Sequence, residues 1–393
     1  MNQAPLALDT PTAEPADRTG FDIGWDHAHH GLMPPAELLH CGTPVCQGWM
    51  AGKAVFGRRT LVSSRCTRLW LQLRVLAWRR GIGFDTLQVT PNYLGQIDST
   101  QCPVRRCALG GAAGQPDAAV VVRLNPQAGY AAGNLAVMSA QAAEAMDGVD
   151  ALQAVRRARA AEAGGGPVLG LDAAAWWRVA ALRAFTTPLP FAEVARLPLA
   201  VLPPNRVRLL NAAQGLQALV TQMFSSAGWS KRCRVLAQLL PAHTLRHDFN
   251  LFVGAMAPRV LEAGAEPAAL RRALENAWLL DRVQRRWQHL VLSLGETATA
   301  DLLERALHAA GAQPIGVRIV QHAPDQATEG WSLPLSGNNP PPARGRGVAV
   351  SRAMRGGLAT ISLAAPRAGR PGPVTPPQVP ATRAWARRPR AAW

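Results

Sequence analysis

The sequence predicts an α+β protein. A small hairpin-and-helix unit with flanking helices is followed by a mainly α-helical domain and a basic tail that cannot bury a core. Three observations carry this. Residues 120–146, VVVRLNPQAGYAAGNLAVMSAQAAEAM, hold two short apolar runs separated by Gly129-Tyr130 and Gly133-Asn134, then an alanine-rich run; that is a β-hairpin leading into a helix. Residues 172–311 show helical periodicity with short Gly or Pro breaks. Beyond Ser336 the chain has ten arginines, no lysine and no acid, and is rich in Pro and Gly, a composition read as disordered.

A chain of 393 residues sets an expectation of about two or three domains. Residues 1–19 mix Pro, Thr, Ala and acids without periodicity and read as a disordered tail. An N-terminal domain is placed at 20–163, with its hairpin–helix core at 102–146. The Gly164-Gly165-Gly166-Pro167 break separates it from an α-helical domain at 168–322, and the Pro/Gly/Arg-rich tail occupies 323–393.

Within 20–60, only Pro35 to Leu39 is expected to be helical. Ser64 to Arg80 forms an amphipathic helix with Leu69, Leu73 and Leu76 on one face. Its arginines, Arg65, Arg68, Arg74, Arg79 and Arg80, are read as a solvated side or a backbone-binding face. Thr90-Pro91 caps and starts a short helix, and Ala151 to Ala163 forms another. Asp172 caps the first helix of the next domain. Further helices are expected at 205–224, 231–240, 244–262, 267–294 (the longest) and 299–310, with Trp278 and Trp287 as core. Ile315 to His322 suggests a lone strand.

The net charge is +17, and Lys53 and Lys231 are the only lysines. Such charge suits a polyanion, because neutralised phosphates release counterions; arginine richness can equally be compositional. The six cysteines are few for this length. No apolar leader opens the chain and no run of roughly 18 apolar residues exists. The expectation is a reduced, cytoplasmic protein without a membrane partner.

Two motifs suggest metal. Cys41-x4-Cys46 and Cys102-x4-Cys107 form two pairs with spacing a zinc knuckle tolerates, although buried cysteines often need no metal. Asp26, His27, His29 and His30 concentrate donors, with His27 and His29 on one side if the segment is extended. The alternative is a polar loop beside Trp25.

The run CPVRRC, then AVVVRLNPQAGYAAGNLAVMSAQAAEAM, resembles the HNH (His-Me finger) endonucleases. More narrowly, it is similar to the bacterial and phage branch with a Cys-Pro start, an Asp-Arg-Ile/Val first strand, a GYxxGN turn and a closing helix bearing Ala-Asn and Lys. The resemblance covers residues 102–146. Gly129, Tyr130, Gly133, Asn134, Leu135 and Ser139 match, and Arg123 fits the first-strand arginine. It implies a hairpin and helix that hold a divalent ion, magnesium or zinc, and a water against a scissile phosphate. The middle asparagine would tie the loop together.

The departures matter as much. Val122 stands where the acid would be, Ala143 replaces the helix asparagine, and Met146 replaces the lysine. No histidine lies between His40 and His243. Valine and alanine have no lone pairs for a metal, so no intact catalytic set is expected; Asp117 is the nearest substitute. The remaining nucleic-acid-binding candidates are Arg105, Arg106, Arg123 and Asn134. The leading expectation is a nucleic-acid-binding protein derived from an HNH nuclease and lacking phosphodiester cleavage. The alternatives are an active metal-dependent endonuclease with non-standard ligands and a structural or protein-interaction module.

Overall fold

The computed structural model describes residues 15–225, 227–264, 266–311, 317–322, 328–333 and 358–363. They form a mostly helical α+β structure with two small antiparallel sheets. Among them no helix is long and apolar enough to cross a membrane.

The chain starts differently from the expectation. Residues 1–14 of the expected tail lie outside the described residues, but α1 (Pro15–His29) is already helical. A single 3-10 turn, Ala36–Leu38, and α2 (Pro44–Phe56) follow, so the glycine-rich segment 20–60 is largely helical. The glycines misled the reading because they serve close packing. A Cβ at Gly48 would sit 2.0 Å from the Phe21 carbonyl oxygen of α1, so only glycine lets the two backbones touch. Thr43 accepts the Cys46 N–H at 3.2 Å and starts α2.

Helix α3 (Arg65–Arg79) is capped by Ser64, which accepts the Thr67 N–H at 3.0 Å. Arg74 is not on a solvated side: it is buried, pairs with Asp26 of α1 and lies 4.6 Å from the Trp70 ring centroid. Thr90 caps α4 (Pro91–Ile97) as its sequence indicated. Strands β1 (Ala119–Arg123) and β2 (Leu135–Ser139) pair antiparallel, with Val121 opposite Val137 and Arg123 opposite Leu135. Ser139 then caps α5 (Ala140–Ala145).

Helix α6 (Ala151–Gly164) opens with an Asp150/Gln153 capping box and closes on Gly165 in the left-handed region. Helix α7 (Ala173–Phe185), capped by Asp172, packs beside it and is almost wholly buried. The glycine run therefore ends a helix without interrupting the core, because one apolar cluster extends from Cys102 and Met138 through Trp176 and Phe224 to Leu303.

The later helices are α8 (Phe191–Val194), α9 (Ala212–Phe224), α10 (Trp229–Leu239), α11 (His243–Ala263), α12 (Pro267–Ala277), α13 (Asp281–Leu294) and α14 (Glu296–Gly311). The expected helix 205–224 begins only at Ala212. The expected long helix 267–294 is two: the chain turns at Trp278-Leu279-Leu280, which lets Trp278 and Trp287 meet edge to face at 5.2 Å. Phe252 of α11 completes that aromatic cluster, and Trp278 Nε1 donates to Thr221 Oγ1 at 2.8 Å. Both tryptophans are core, in line with their helical spacing.

The expected lone strand is β3 (Val317–His322), and it has a partner, β4 (Leu358–Leu363). That partner falls inside the expected disordered tail 323–393, most of which lies outside the described residues. A second ordered piece of the same stretch, residues 328–333, brings the fully buried Trp331 against Ala128, Ala131 and Leu210. Arginine and proline content outweighed this one large anchor in the sequence reading.

Candidate functional site

The hairpin loop is built around Asn134, which is wholly buried. Its Oδ1 accepts the Asn125 N–H at 2.7 Å; its Nδ2 donates to the Asn125 and Gly129 carbonyls at 3.1 and 3.0 Å. All the geometry of this amide is directed at the loop, so Asn134 is a tie and has no atom facing solvent. Gly133 has φ +90°, and a Cβ there would stand 2.2 Å from Cγ of Arg208; both facts require glycine. Its N–H donates to the Tyr93 hydroxyl at 2.9 Å, and burial pushes that phenol up to about 12.

Arg123 is half-buried. Its Nη1 donates to the Pro126 and Ala128 carbonyls at 2.9 and 2.8 Å, and its guanidinium lies 5.3 Å from the Tyr130 ring centroid. Nη1 thus shapes the loop, while Nε and Nη2 make no hydrogen bond among the described residues. Val122, Ala143 and Met146 converge. With Arg80, Arg123 and Asp147 they line a cavity of about 350 Å³ between α3, β1 and α5. Its floor is apolar: Met146 is buried, and Val122 and Ala143 pack against the large core. Asp117 does not line it; it sits in the turn before β1, beside Gly111. Asp147 does line it and was missed by sequence reasoning, because no family position pointed to it.

Arg183 of α7 closes the back of this cavity. It is buried, and its guanidinium donates to the carbonyls of Arg123, Leu124 and Met146 at 3.0, 2.6 and 2.5 Å. Burial pulls it down to about 10, with Asp147 opposing and Arg123 adding to the drop. Arg178 likewise donates to the Val104 carbonyl, and burial also brings it down to about 10. Arg208 donates to Gln88 Oε1 at 2.8 Å. These arginines are internal fasteners between the hairpin unit and the helices. Arg178 and Arg183 lie on α7 and Arg208 in the segment before α9, and nothing in residue type alone separates an inward arginine from a solvated one.

The other candidates are also engaged. Arg106, at φ +58°, donates to Asn276 Oδ1 at 2.7 Å and pairs with Glu275 at 2.9 Å, so it joins its turn to α12. Arg105 Nη1 approaches Cys107 Sγ at 3.8 Å. Cys102 is buried; its sulfur accepts the Arg105 and Ser139 N–H groups, each at 3.4 Å. Cys41 is exposed on the turn before α2 and Cys46 is buried within α2.

Among the described residues no three His, Cys, Asp or Glu side chains gather in a way that could hold a metal ion. The donor set does not fit the zinc or magnesium that the resemblance implies. Asp26, His27, His29 and His30 stay near one another but do not converge on one point, because their segment is helical and not extended and each side chain has its own partner. Asp26 pairs with Arg74, His27 Nδ1 bonds the Ile23 carbonyl at 2.8 Å, His29 stacks on Phe56 at 4.3 Å, and His30 meets Trp70 edge-on.

Comparison with protein-family models, with curated proteins and with solved structures finds no match.

Proposed function

We propose that this chain binds nucleic acid through a ββα unit derived from the HNH endonucleases and does not cleave phosphodiesters. What carries the reading is convergence. Val122, Ala143 and Met146, the positions where the resemblance puts the acid, the asparagine and the lysine, line one cavity with Arg80 and Arg123. Ala143 and Met146 lie one helical turn apart at the α5 end that packs on β1, which is the arrangement the resemblance implies for these positions. The buried asparagine that ties the loop supports the same descent. The chemistry of the cavity argues against cleavage: an apolar floor gives a metal no lone pairs, and Asp147 is the single carboxylate among its described lining residues. Two arginines at the opening suit phosphate oxygens.

Fluorescence anisotropy with labelled duplex DNA, single-stranded DNA and RNA, read across a salt series, tests this. Binding is expected, with log K falling against log salt by roughly 0.9 per phosphate neutralised on B-DNA. Arg80→Gln, an exposed change, should weaken it. No binding at low salt, or association indifferent to both salt and Arg80→Gln, overturns the proposal.

A further inference from the structure

A second recess, of about 590 Å³, lies where α4, the Cys102–Cys107 turn, the 201–205 segment and α12 meet. Its size falls within the roughly 300–1,000 Å³ of small-ligand sites. Ile97, Val137, Pro203 and Pro204 give it flat apolar walls, and the Gln96 and Asn205 amides stand beside them.

Its cations are Arg106, Arg271 and Arg272, and its carboxylates are Asp98 and Glu275. Both carboxylates are already answered. Glu275 is buried and accepts from Arg106 Nη2 at 2.9 Å, Arg271 Nε at 3.0 Å and the Leu202 N–H at 3.0 Å. Asp98 pairs with Arg65 at 3.1 Å. The Nη groups of Arg271 and the whole guanidinium of Arg272 make no hydrogen bond or ion pair among the described residues. Arg106 Nε is buried without a partner. The recess therefore offers guanidinium donors without hydrogen-bond partners, apolar walls and the Gln96 amide, while Asn205 Nδ2 is taken by the Gln96 carbonyl and the charge of Arg272 also acts on Glu266 at the start of α12. An anion alone would not need the walls, and an apolar ligand would not need the arginines.

We propose that this recess binds a nucleotide, its phosphate held by Arg271 and Arg272 and its base lying against the proline-lined wall. The nucleotide can be free or part of a single strand. The inference stands on the recess itself and does not depend on the descent of the hairpin.

Isothermal titration calorimetry of the full chain with adenosine and uridine 5′-monophosphates, with the corresponding nucleosides, and with a short single-stranded oligonucleotide tests it. A monophosphate should bind, its nucleoside about tenfold more weakly. Arg272→Gln should weaken the monophosphate by about tenfold; Arg272 is exposed and its one interaction is the charge attraction to the exposed Glu266, so the fold should stand. Arg286→Gln, on α13 outside the recess, should leave it unchanged. Tighter binding of the oligonucleotide, weakened by the same Arg272 change, assigns the ligand to a strand. No binding of any phosphate-bearing probe, or binding that Arg272→Gln leaves intact, overturns the proposal. Failure here with duplex binding retained, sensitive to Arg80→Gln, removes this site alone.

Discussion

Asn134 and Asn125 are locked by a reciprocal pair of hydrogen bonds, the side-chain amide of one closing on the main-chain N–H and carbonyl of the other at 2.7 and 3.1 Å. A third bond reaches Gly129. Asn134→Ala would leave the buried Asn125 N–H and the Gly129 carbonyl without partners, each costing about 1–3 kcal/mol, while the Asn125 carbonyl keeps the Ala128 N–H at 3.2 Å. The expected outcome is a large loss of thermal stability with no specific loss of ligand affinity per folded molecule. A stable Asn134→Ala protein that no longer binds would assign Asn134 to the ligand instead.

Arg183→Met tests the fastening of α7 to the hairpin. It removes donors to three carbonyls: Arg123 at the end of β1, Leu124 just beyond it and Met146 at the end of α5. Methionine fills similar space but satisfies none of them, so a loss on the order of 3 kcal/mol is expected in chemical denaturation. Arg183→Lys should recover only part, because an ammonium does not reproduce the planar fork. Wild-type stability of Arg183→Met would show that the guanidinium contacts contribute nothing net.

Trp331 holds its segment on the hairpin loop. It is fully buried, its Nε1 donates to the Ala132 carbonyl at 3.1 Å, and its carbonyl accepts the Gly129 N–H at 2.5 Å. Trp331→Ala should cost about 3–5 kcal/mol of local stability. Hydrogen exchange should show the Gly129 amide losing protection while the β1–β2 amides keep theirs. Unchanged exchange at Gly129 would contradict the anchoring role.

Much of this was legible in the sequence where local rules decide the outcome. Thr90 and Asp172 cap the helices they announce, a helix starts directly after Ser64 as expected, and Gly129-Tyr130 and Gly133-Asn134 lie in the hairpin loop. Residues whose role depends on distant partners were not legible. Segment 20–60 reads as mostly non-helical, because the close approach of Gly48 to Phe21 exists only in the fold. Arg74 reads as surface charge until its partner Asp26 is in place, and nothing in residue type marks Arg178, Arg183 or Arg208 as internal. Trp331 looked like part of a tail because the loop it covers lies some two hundred residues earlier. Asp147 was invisible because only folding brings it to the cavity shared with Val122.

His27 sets a pH dependence for the packing of α1. Burial, more than the nearby Arg74 and His30, holds its pKa below the ordinary 6.5, against the opposing Ile23 carbonyl and Asp26. His30 is also lowered, chiefly by burial. A base with a depressed folded pKa is protonated first in the unfolded chain. Its stabilising contribution is therefore full above 6.5 and falls as pH drops toward the folded value. The melting temperature should decline on acidification below neutrality, and His27→Gln should flatten that decline. A slope identical in both proteins would place the acid sensitivity elsewhere.

The most direct test of the central claim pairs binding with cleavage in one experiment. Supercoiled plasmid is incubated with the full chain and Mg²⁺, Mn²⁺ or Zn²⁺ at concentrations where an electrophoretic shift is complete, and the DNA is then deproteinised and examined for nicks. The expected result is a salt-sensitive shift with the plasmid still supercoiled under every metal. Metal-dependent nicking, abolished by Asp147→Asn and by chelation, would contradict it.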